Sequence, residues 1–377
     1  MFFKHQTYFK AECFFNVSML KEVYKRLSDF NPSSYASTRN FENGSCSELS
    51  AYIARGIISP RQIMETLQVK GYTQKEWAGF LQQMAWREYF QRVLQYNPRL
   101  FETALLKDPD GTYHRGIPVS VINAQTKITA LDRALKKLYN QGHIHNHLRL
   151  YLAALICNVA RVEWQSGARW MYYYLLDADL ASNYCSWQWV CGASRNQKYY
   201  AHQHNINFFC NTQDAHTLLD VPMEAFPFSA IPESLQLLEE PQLYSPCMPE
   251  NTLKLNPDWP VCVYTPYNLD PLWRKNIASN RVLFLDAQWM EKFPMCSHTL
   301  EFIQAAGKEI PGIQFFWGSA TGFMEQIARY TTYQKEHPVV SLRGISYDSR
   351  DWLFSDGYEP GMSFFKFWNA VKSEWGL

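Results

Sequence analysis

The sequence lacks the long apolar segment of a membrane protein and the leader of a secreted one. It contains no run of the roughly 18 apolar residues that a membrane-spanning helix needs, and its longest candidate, 150–160, is bounded by Arg149 and Arg161. Charged side chains interrupt the aromatic residues of the first fifteen positions, which excludes the apolar region of a secretory signal. We therefore expect a soluble protein of the cytoplasm with no membrane contact.

Cysteine pairs and phosphate-binding glycine loops are also missing. The nine cysteines include no C-x-x-C pair, and their odd number fits a disulfide framework badly. The closest two, Cys185 and Cys191, are separated by five residues, a spacing that suits neither a zinc knuckle nor a common iron–sulfur site. No G-x-G-x-x-G or Walker motif is present. We expect reduced thiols, no metal site and no nucleotide loop of these two types.

Charge is scarce and unevenly distributed. Charged residues make up 19% of the chain, with 36 Lys+Arg against 35 Asp+Glu. Residues 1–213 hold 24 of the basic and 15 of the acidic residues, which leaves 12 and 20 for residues 214–377. A basic part is what a polyanion-binding surface needs, because each neutralised phosphate releases counterions. A solvated lysine-rich surface explains the same excess.

Hydrophobic spacing divides the chain into three segments. Apolar residues recur at helical intervals over 81–94, 131–138 and 148–162, which predicts an all-helical domain over 1–213. Seven prolines between Thr212 and Asp258 predict an extended connector over 214–258. The remainder, 259–377, alternates three β-rich runs with predicted helices, a pattern typical of a small parallel α/β domain. The runs are 261–264, 282–285 and 313–316, and the predicted helices lie near 272–277, 298–306 and 324–333.

Four polar clusters interrupt the apolar pattern of the helical part. They are 35–39, 45–50, 145–149 and 177–183, the last followed by Trp187-Gln-Trp189. Hydroxyl and free N–H groups at a helix start suit a phosphate group. Each cluster alone has an ordinary explanation as a helix cap or a solvated loop.

Taken together, the order and spacing of these clusters resemble the FAD-binding helical domain of the photolyase and cryptochrome family over about residues 25–210. The strongest blocks are LSAYIARGIISPRQ (49–62), AWREYFQRV (85–93), GHIHNHLRL (142–150) and LLDADLASNYCSWQWVCGAS (175–194). The resemblance implies a mainly α fold, with a helical FAD-binding domain followed by a smaller α/β domain. It also implies FAD as cofactor and DNA damaged by ultraviolet light as partner.

The same resemblance assigns the cofactor-binding residues. Positions that hold the FAD diphosphate and its surroundings match Tyr35, Ser47, Leu49 and Ser50, and positions beside the isoalloxazine and ribityl chain match Asn146, Arg149, Asp177, Asp179 and Asn183. Arg87 is counted with this set because it supplies a cation next to the substrate pocket. Asn183 matches the position opposite flavin N5, where a neutral amide tolerates an anionic reduced flavin that a carboxylate would repel.

The resemblance further assigns residues to the chemistry. Trp86 and Trp189 match the two aromatic walls of the pocket for an extruded base. Trp187 and Trp164 match the first two members of the tryptophan chain that brings an electron to the flavin. No tryptophan lies at the usual place of the third member, for which Tyr113 and Tyr139 are the candidate substitutes.

Gln83 departs from the family pattern, because it stands where repair enzymes usually have a glutamate and it cannot ionise. Two functions therefore stay open. The first is light-driven electron transfer from reduced FAD to damaged pyrimidines in DNA, with Asn183 in its favour. The second is a light sensor or redox flavoprotein without repair activity, which binds a protein partner through the acidic C-terminal part.

The last segment carries a fainter resemblance. VCVYTPYNLDPLW (261–273) is similar to the opening strand and loop of the α/β domain that usually precedes the FAD domain in this family, and VLFLDAQW (282–289) is similar to its next strand. That domain can hold an antenna chromophore. A reordered antenna domain is one hypothesis for residues 259–377, and a small structural or regulatory domain is the other.

Overall fold

A computed structural model describes residues 18–111, 113–246, 251–340, 342–354 and 358–377. Its N-terminal part is built from eleven helices in the described residues. They are α1 Met19–Asp29, α2 Pro32–Thr38, α3 Ser50–Ala54, α4 Pro60–Val69, α5 Gln74–Tyr96, α6 Val119–Ile122, α7 Thr129–Gln141, α8 Asn146–Ala154, α9 Trp164–Tyr174, α10 Leu180–Cys191 and α11 Gln203–Cys210. A π-helical turn, Leu155–Val159, directly extends α8. No helix in the described residues is both long and apolar enough to cross a bilayer.

Local sequence explains where helices α5 and α4 begin. Thr73 and Glu76 form a capping box at the start of α5, in which Glu76 reaches back to the Thr73 backbone N–H at 2.8 Å. The 23-residue length of α5 places Gln83, Trp86 and Arg87 on one helix. At α4, Ser59 caps the helix and Pro60 is its first residue.

The segment after α11 is mostly irregular. It contains two short 3₁₀ turns, Met223–Ala225 and Glu233–Leu235, and a two-residue strand β2 (Leu238–Glu239) that pairs antiparallel with β1 (Ile117–Pro118). The prolines remove backbone donors, so longer ladders cannot form here.

The C-terminal part holds a five-stranded parallel sheet. Its strands are β3 Val261–Tyr264, β4 Asn280–Asp286, β5 Ile313–Gly318, β6 Thr332–Lys335 and β7 Ser346–Asp348, in the spatial order β5-β4-β3-β6-β7. The helices around it are α12 Ala287–Lys292, α13 Ser297–Lys308, α14 Ala320–Ile327 and α15 Phe364–Glu374. The strand order reverses between β3 and β6, which makes the carboxyl ends of these two strands the topological switch point of the sheet.

The central strands send alternate side chains into two different cores. Val261 and Val263 belong to a small cluster on one face, whereas Cys262 and Tyr264 belong to the main cluster, which also contains the cores of the N-terminal helices. The backbone N–H of Leu269, just after β3, donates to the Arg55 carbonyl at 2.9 Å. The main core is therefore continuous across residue 258, where the sequence predicts the α/β domain to begin.

Three predictions for the α/β part need correction. Residues 272–277 form turns and not a helix, because Pro271 precedes them and Arg274 has a left-handed backbone with φ 48°. The helix predicted over 324–333 is α14, which begins earlier and ends at Ile327, and the following residues form β6. Strands β6 and β7 were not predicted, because TYQK and SYD contain too few apolar residues to indicate a buried strand.

Candidate functional site

A cavity of about 520 Å³ lies between α8, α9 and α10 in the helical part. We call it the helical cavity. Its wall contains six of the residues that the sequence assigns to the cofactor or to electron transfer: Asn146, Arg149, Asp177, Asp179, Asn183 and Trp187. These residues are far apart in sequence, and the fold brings them together.

A glycine at the end of α7 brings the two halves of this wall together. Gly142 adopts a left-handed conformation with φ 63°, and a Cβ at this position would lie 2.7 Å from Leu176 Cγ. Its carbonyl accepts a hydrogen bond from the Leu176 N–H at 2.9 Å. This close approach holds the start of α8 against the loop that carries Asp177.

Arg149 and Asp177 form a buried ion pair at the cavity wall. Arg149 Nη2 donates to Asp177 Oδ2 at 2.8 Å, and Arg149 Nε donates to the Ile144 carbonyl at 2.9 Å. Burial opposes ionisation of Asp177, but the guanidinium outweighs it and holds the pKa of the carboxyl below its usual value. Ser50, the first residue of α3, contributes weakly to the same effect.

Asp179 closes the neighbouring part of the wall. It caps α10 by accepting from the Ser182 N–H at 2.8 Å, and its other oxygen accepts from Gln91 Nε2 at 2.6 Å and Arg87 Nη2 at 3.1 Å. Burial again opposes ionisation, and Arg87 and the helix cap keep the pKa of Asp179 low. Arg87 therefore lies beside the cavity and neutralises its second carboxylate.

Two buried oxygens of the cavity lack protein partners. Asp177 Oδ1 and Ser182 Oγ make no hydrogen bond with the described residues. A buried polar atom without a partner is costly, so a ligand with polar groups of its own suits this wall. Asn183 donates through Nδ2 to the Ala168 carbonyl at 2.8 Å, which fixes the orientation of its amide at the wall.

The two predicted electron-transfer tryptophans lie on adjacent helices. Trp187 is buried on α10 and packs over Gly167 of α9, where a Cβ would lie 2.1 Å from Trp187 Cζ3. Trp164, the first residue of α9, is also buried, and its ring contacts Tyr184 edge-on at 6.1 Å. Tyr184, which the sequence analysis did not consider, is therefore a tyrosine whose ring contacts Trp164.

Those other tyrosines lie elsewhere. The Tyr139 ring contacts Trp170 and Tyr174, and the Tyr113 hydroxyl accepts a hydrogen bond from Lys198 at 2.7 Å. Neither ring contacts Trp164 within the part of the chain that the structure describes.

The predicted substrate-pocket residues do not line the helical cavity that the described residues form. Trp86 stacks on Phe364 of α15, with ring centroids 3.3 Å apart and planes at 10°. Trp189 is covered by the guanidinium of Arg195, 3.6 Å from the ring centroid. Gln83 is half-buried on α5, one helical turn before Arg87.

The predicted diphosphate residues are distributed around α2 and α3. Tyr35 lies in an aromatic cluster with Phe30 and Phe80, and burial raises the pKa of its hydroxyl to about 12. The Leu49 N–H donates to Ser47 Oγ at 3.4 Å, and Leu49 itself is buried. Of this group, Ser50 reaches the helical cavity through its neighbour Asp177.

The histidines near the cavity are structural. His145 is the N-cap of α8, not a helix residue, and its Nε2 lies 3.0 Å from the Arg39 carbonyl. His147 packs against Phe209 and Tyr151. Burial lowers the pKa of His143, which lies near the Arg149–Asp177 pair, to about 4. The sequence analysis missed Gln91 and Ser182. Gln91 lies one turn after Arg87 on α5, and Ser182 lies one turn before Ser186 on α10, so each pair shares a helix face.

A second cavity of about 620 Å³, the interdomain cleft, lies at the switch point of the sheet. It is lined by residues that follow β3, β6 and β7 and by Arg87, Glu88 and Gln91 of α5. Lys335 Nζ lies 3.4 Å from Asp270 and 3.0 Å from Asp351. Both of these ion pairs lie within the C-terminal part.

Arg350 extends this pairing into α5. Its Nη2 donates to Gln91 Oε1 at 2.7 Å, and its guanidinium and that of Arg92 lie 3.7 and 3.5 Å from the centroid of Trp352. No group of three or more His, Cys, Asp or Glu in the described residues is placed to hold a metal ion. The described cysteines are free thiols, and Cys13 and Cys247 lie outside the described residues.

Comparisons with known proteins point to one family. Residues 80–218 match the model of the FAD binding domain of DNA photolyase. The chain is 25% identical over 236 residues to a deoxyribodipyrimidine photo-lyase of Buchnera aphidicola, with 60% of this chain and 48% of that protein covered. It is 28% identical to the Escherichia coli deoxyribodipyrimidine photo-lyase, with 38% of this chain and 32% of that protein covered. It is 29% identical to cryptochrome DASH of Xenopus laevis, with 44% of this chain and 33% of that protein covered.

The matched segments thus span between about a third and a half of each of these relatives. Among solved structures, a class III photolyase from Agrobacterium tumefaciens is similar at a TM-score of 0.46 and 23% identity, over 50% of this chain and 42% of that one. A cryptochrome from Synechocystis is similar at a TM-score of 0.46 and 22% identity, over 50% of this chain and 42% of that one.

The helical cavity fits an isoalloxazine group chemically. That ring carries an N–H and carbonyl oxygens along one edge, and the wall offers Asp177 Oδ1 as an acceptor, the Ser182 hydroxyl as donor or acceptor, and the Arg149 guanidinium as a donor. FAD is thus the cofactor of this domain, and Asn146, Arg149, Asp177 and Asn183 line the cavity that would receive its ring. Residues 80–218 thus carry an FAD-binding domain of the DNA photolyase type, and the chain is similar to photolyases and cryptochromes.

Proposed function

We propose that the protein is an FAD-dependent photolyase-type lyase that uses blue light to drive electron transfer to damaged pyrimidines in DNA. The observation that carries this proposal is the helical cavity, where the Arg149–Asp177 pair, Asp179 and Asn183 share one wall. Bound FAD supplies one-electron chemistry that light can drive. The surrounding residues control the charge, orientation and water access of the ring.

Arg149 and Asp179 control charge at the cavity. Arg149 is held by Asp177, so a fixed positive group faces the ring without bringing a net charge into the wall. Asp179 is neutralised by Arg87, which limits its repulsion of an electron-rich ring. Both ion pairs are rigid because backbone groups also hold them.

Asn183 presents an uncharged amide to the cavity. Its Nδ2 is committed to the Ala168 carbonyl, so the side chain is oriented before any ligand binds. An amide at this position does not repel a negatively charged ring and does not titrate near neutral pH. This property is what an enzyme that donates an electron from its cofactor needs.

Trp187 and Trp164 supply the electron route in this proposal. Trp187 belongs to the cavity wall, and both indoles are buried, which keeps water away from the route. Trp86, Trp189 and Gln83 form the face toward an extruded base, and the basic excess of residues 1–213 supplies attraction to phosphates.

The test uses the purified full-length protein with bound flavin. An oligonucleotide containing ultraviolet-induced pyrimidine dimers is incubated with the protein in blue light, and the remaining dimers are quantified by chromatography. We expect dimers to disappear in light and to persist in the dark, and we expect binding to weaken as salt rises. If flavin-loaded protein leaves every dimer intact in light, the proposed lyase activity is wrong.

Two observations favour a second candidate, a light sensor without repair activity. The Trp86 face is already stacked on Phe364, and Gln83 supplies no carboxylate. In this alternative, the acidic C-terminal part is the surface for a protein partner. Reversible bleaching of the flavin in light, without repair and without salt-dependent binding of DNA, is the expected result.

A further inference from the structure

Phe364 occupies one face of Trp86. The two ring centroids lie 3.3 Å apart and the planes differ by only 10°, which is a parallel stack with full overlap. Phe364 is the first residue of α15 and is 4% exposed. A nucleobase is also a flat aromatic ring, so it competes for the same face by the same kind of contact.

Neighbouring contacts hold Phe364 in this position. The Tyr89 hydroxyl donates to the Met362 carbonyl at 2.8 Å, and the Tyr89 ring meets Phe364 edge-on at 5.7 Å. Ser363 caps α15 by accepting from the Lys366 N–H at 3.3 Å. The stack is thus built into the contact between α5 and the end of the chain.

The rest of α15 does not depend on Phe364. Phe367, Trp368 and Val371 are buried further along the helix, so they hold it on the protein when its first turn opens. First turns fray more readily than helix interiors because their N–H groups lack intrahelical partners. Moving Phe364 alone exposes one aromatic side chain. This exposure lowers the equilibrium constant for opening the first turn of α15 by a factor of about ten or more.

We propose that Phe364 is an intramolecular competitor of the substrate base. A flipped pyrimidine stacks on Trp86 only after the first turn of α15 has moved Phe364 away, so the free protein holds its base-stacking face closed. This proposal rests on the proposed function, since it takes DNA as the ligand and Trp86 as the wall of the base pocket.

The experiment measures the affinity of the flavin-loaded full-length protein for one oligonucleotide, before and after ultraviolet irradiation. Phe364→Ala should tighten binding of the irradiated form by about tenfold and leave the other form unchanged. Phe365→Ala is the matched control, because the adjacent Phe365 side chain is 67% exposed. It should bind both forms as the wild type does.

A third variant guards against misfolding. Phe364→Leu keeps apolar bulk between α5 and α15 but removes the ring, so it should also bind irradiated DNA more tightly. Flavin absorbance and circular dichroism verify that each variant is folded.

The outcomes separate the two proposals. If the wild type binds irradiated DNA more tightly and neither Phe364 variant strengthens this binding, the competitor role of Phe364 is wrong and the proposed lyase activity is unaffected. Tighter binding without dimer repair supports the competitor and refutes the enzyme. Absence of damage-dependent binding in every variant refutes both, and an equal gain on irradiated and unirradiated DNA overturns the competitor as well.

Discussion

The two cavities of this protein differ in how completely their charged and polar groups are paired. In the helical cavity, Arg149 pairs with Asp177, yet Asp177 Oδ1 and Ser182 Oγ stay without partners among the described residues. The interdomain cleft is richer in charged side chains, but Lys335 is shared between two carboxylates. The number of charges alone would have selected the cleft as the ligand site.

The unpaired atoms of the two cavities also differ in kind. Those of the helical cavity are a carboxylate oxygen and a hydroxyl, whereas the cleft leaves the donors Arg350 Nη1 and Asn268 Nδ2 without partners, together with Glu88 Oε1. Glu88 Oε1 still lies 3.7 Å from Arg92 Nη2. In the cleft, Lys335 pairs with two carboxylates of the C-terminal part, and hydrogen bonds from Arg350 to Gln91 and from the Leu353 N–H to Glu88 join that part to α5. The helical cavity instead leaves two oxygens without partners. Substitutions in the first should affect stability, and those in the second should affect flavin binding.

The largest expected effect follows from Asp177→Asn. The change removes the charge partner of Arg149 at a buried site, so flavin affinity should fall more than about 100-fold. Flavin absorbance per protein after dialysis measures the loss. Asp351→Asn is the control, because this carboxylate pairs with Lys335 in the cleft, and it should retain its flavin. Equal flavin loss in both variants would remove the distinction between the cavities.

The next effect concerns the pH dependence of stability at Glu88. Burial raises the pKa of this carboxyl to about 7, well above its value of 4.5 in an exposed site. Between these values the unfolded chain releases the proton and the folded protein keeps it, so the free energy of unfolding falls as pH rises. The fall should reach about 3 kcal/mol near pH 7 and then stop.

Glu88→Gln should abolish this part of the pH dependence. Urea denaturation of both proteins from pH 5 to pH 8 measures the difference, which should grow with pH and level off above about pH 7. Glu65→Gln, at an exposed position of α4, is the control and should follow the wild type. A difference that does not vary with pH would mean that Glu88 is ionised throughout the range.

The smallest effect is expected for Arg350→Ala. The variant loses the hydrogen bond to Gln91 and the contact with Trp352, which should lower the free energy of unfolding by about 2 kcal/mol while flavin binding is kept. Urea denaturation and flavin absorbance give the two readouts. Arg343→Ala, on an exposed turn, serves as the control. Flavin release without destabilisation would show that the cleft acts on the cofactor.

Sequence reasoning was most successful where a local pattern carries the information. The run 261–264 is β3, residue for residue, because four apolar residues follow Pro260 and are buried on both faces. It failed at β6, where Tyr333 and Gln334 become a strand through pairing with β3. Their strand conformation depends on the sheet, and the residues themselves do not indicate it.

The same limit applies to the site. The clusters around Arg149 and Asp177 could be found from their order along the chain, and the fold brings them to one wall. The stack of Phe364 on Trp86 could not be found, since 278 positions separate the two residues and no motif links them. Contacts of this kind follow from how the last helix docks on α5.

The alternation of β3 and β4 has a consequence for how the molecule unfolds. Cys262, Tyr264, Leu283 and Leu285 lie in one hydrophobic cluster with the helices that surround the flavin site. We therefore expect helices and sheet to unfold as one cooperative unit, because neither part can lose its packing while the other keeps a complete interior. A substitution deep in the sheet, far from any cofactor, thus changes the fraction of molecules that can hold flavin at all.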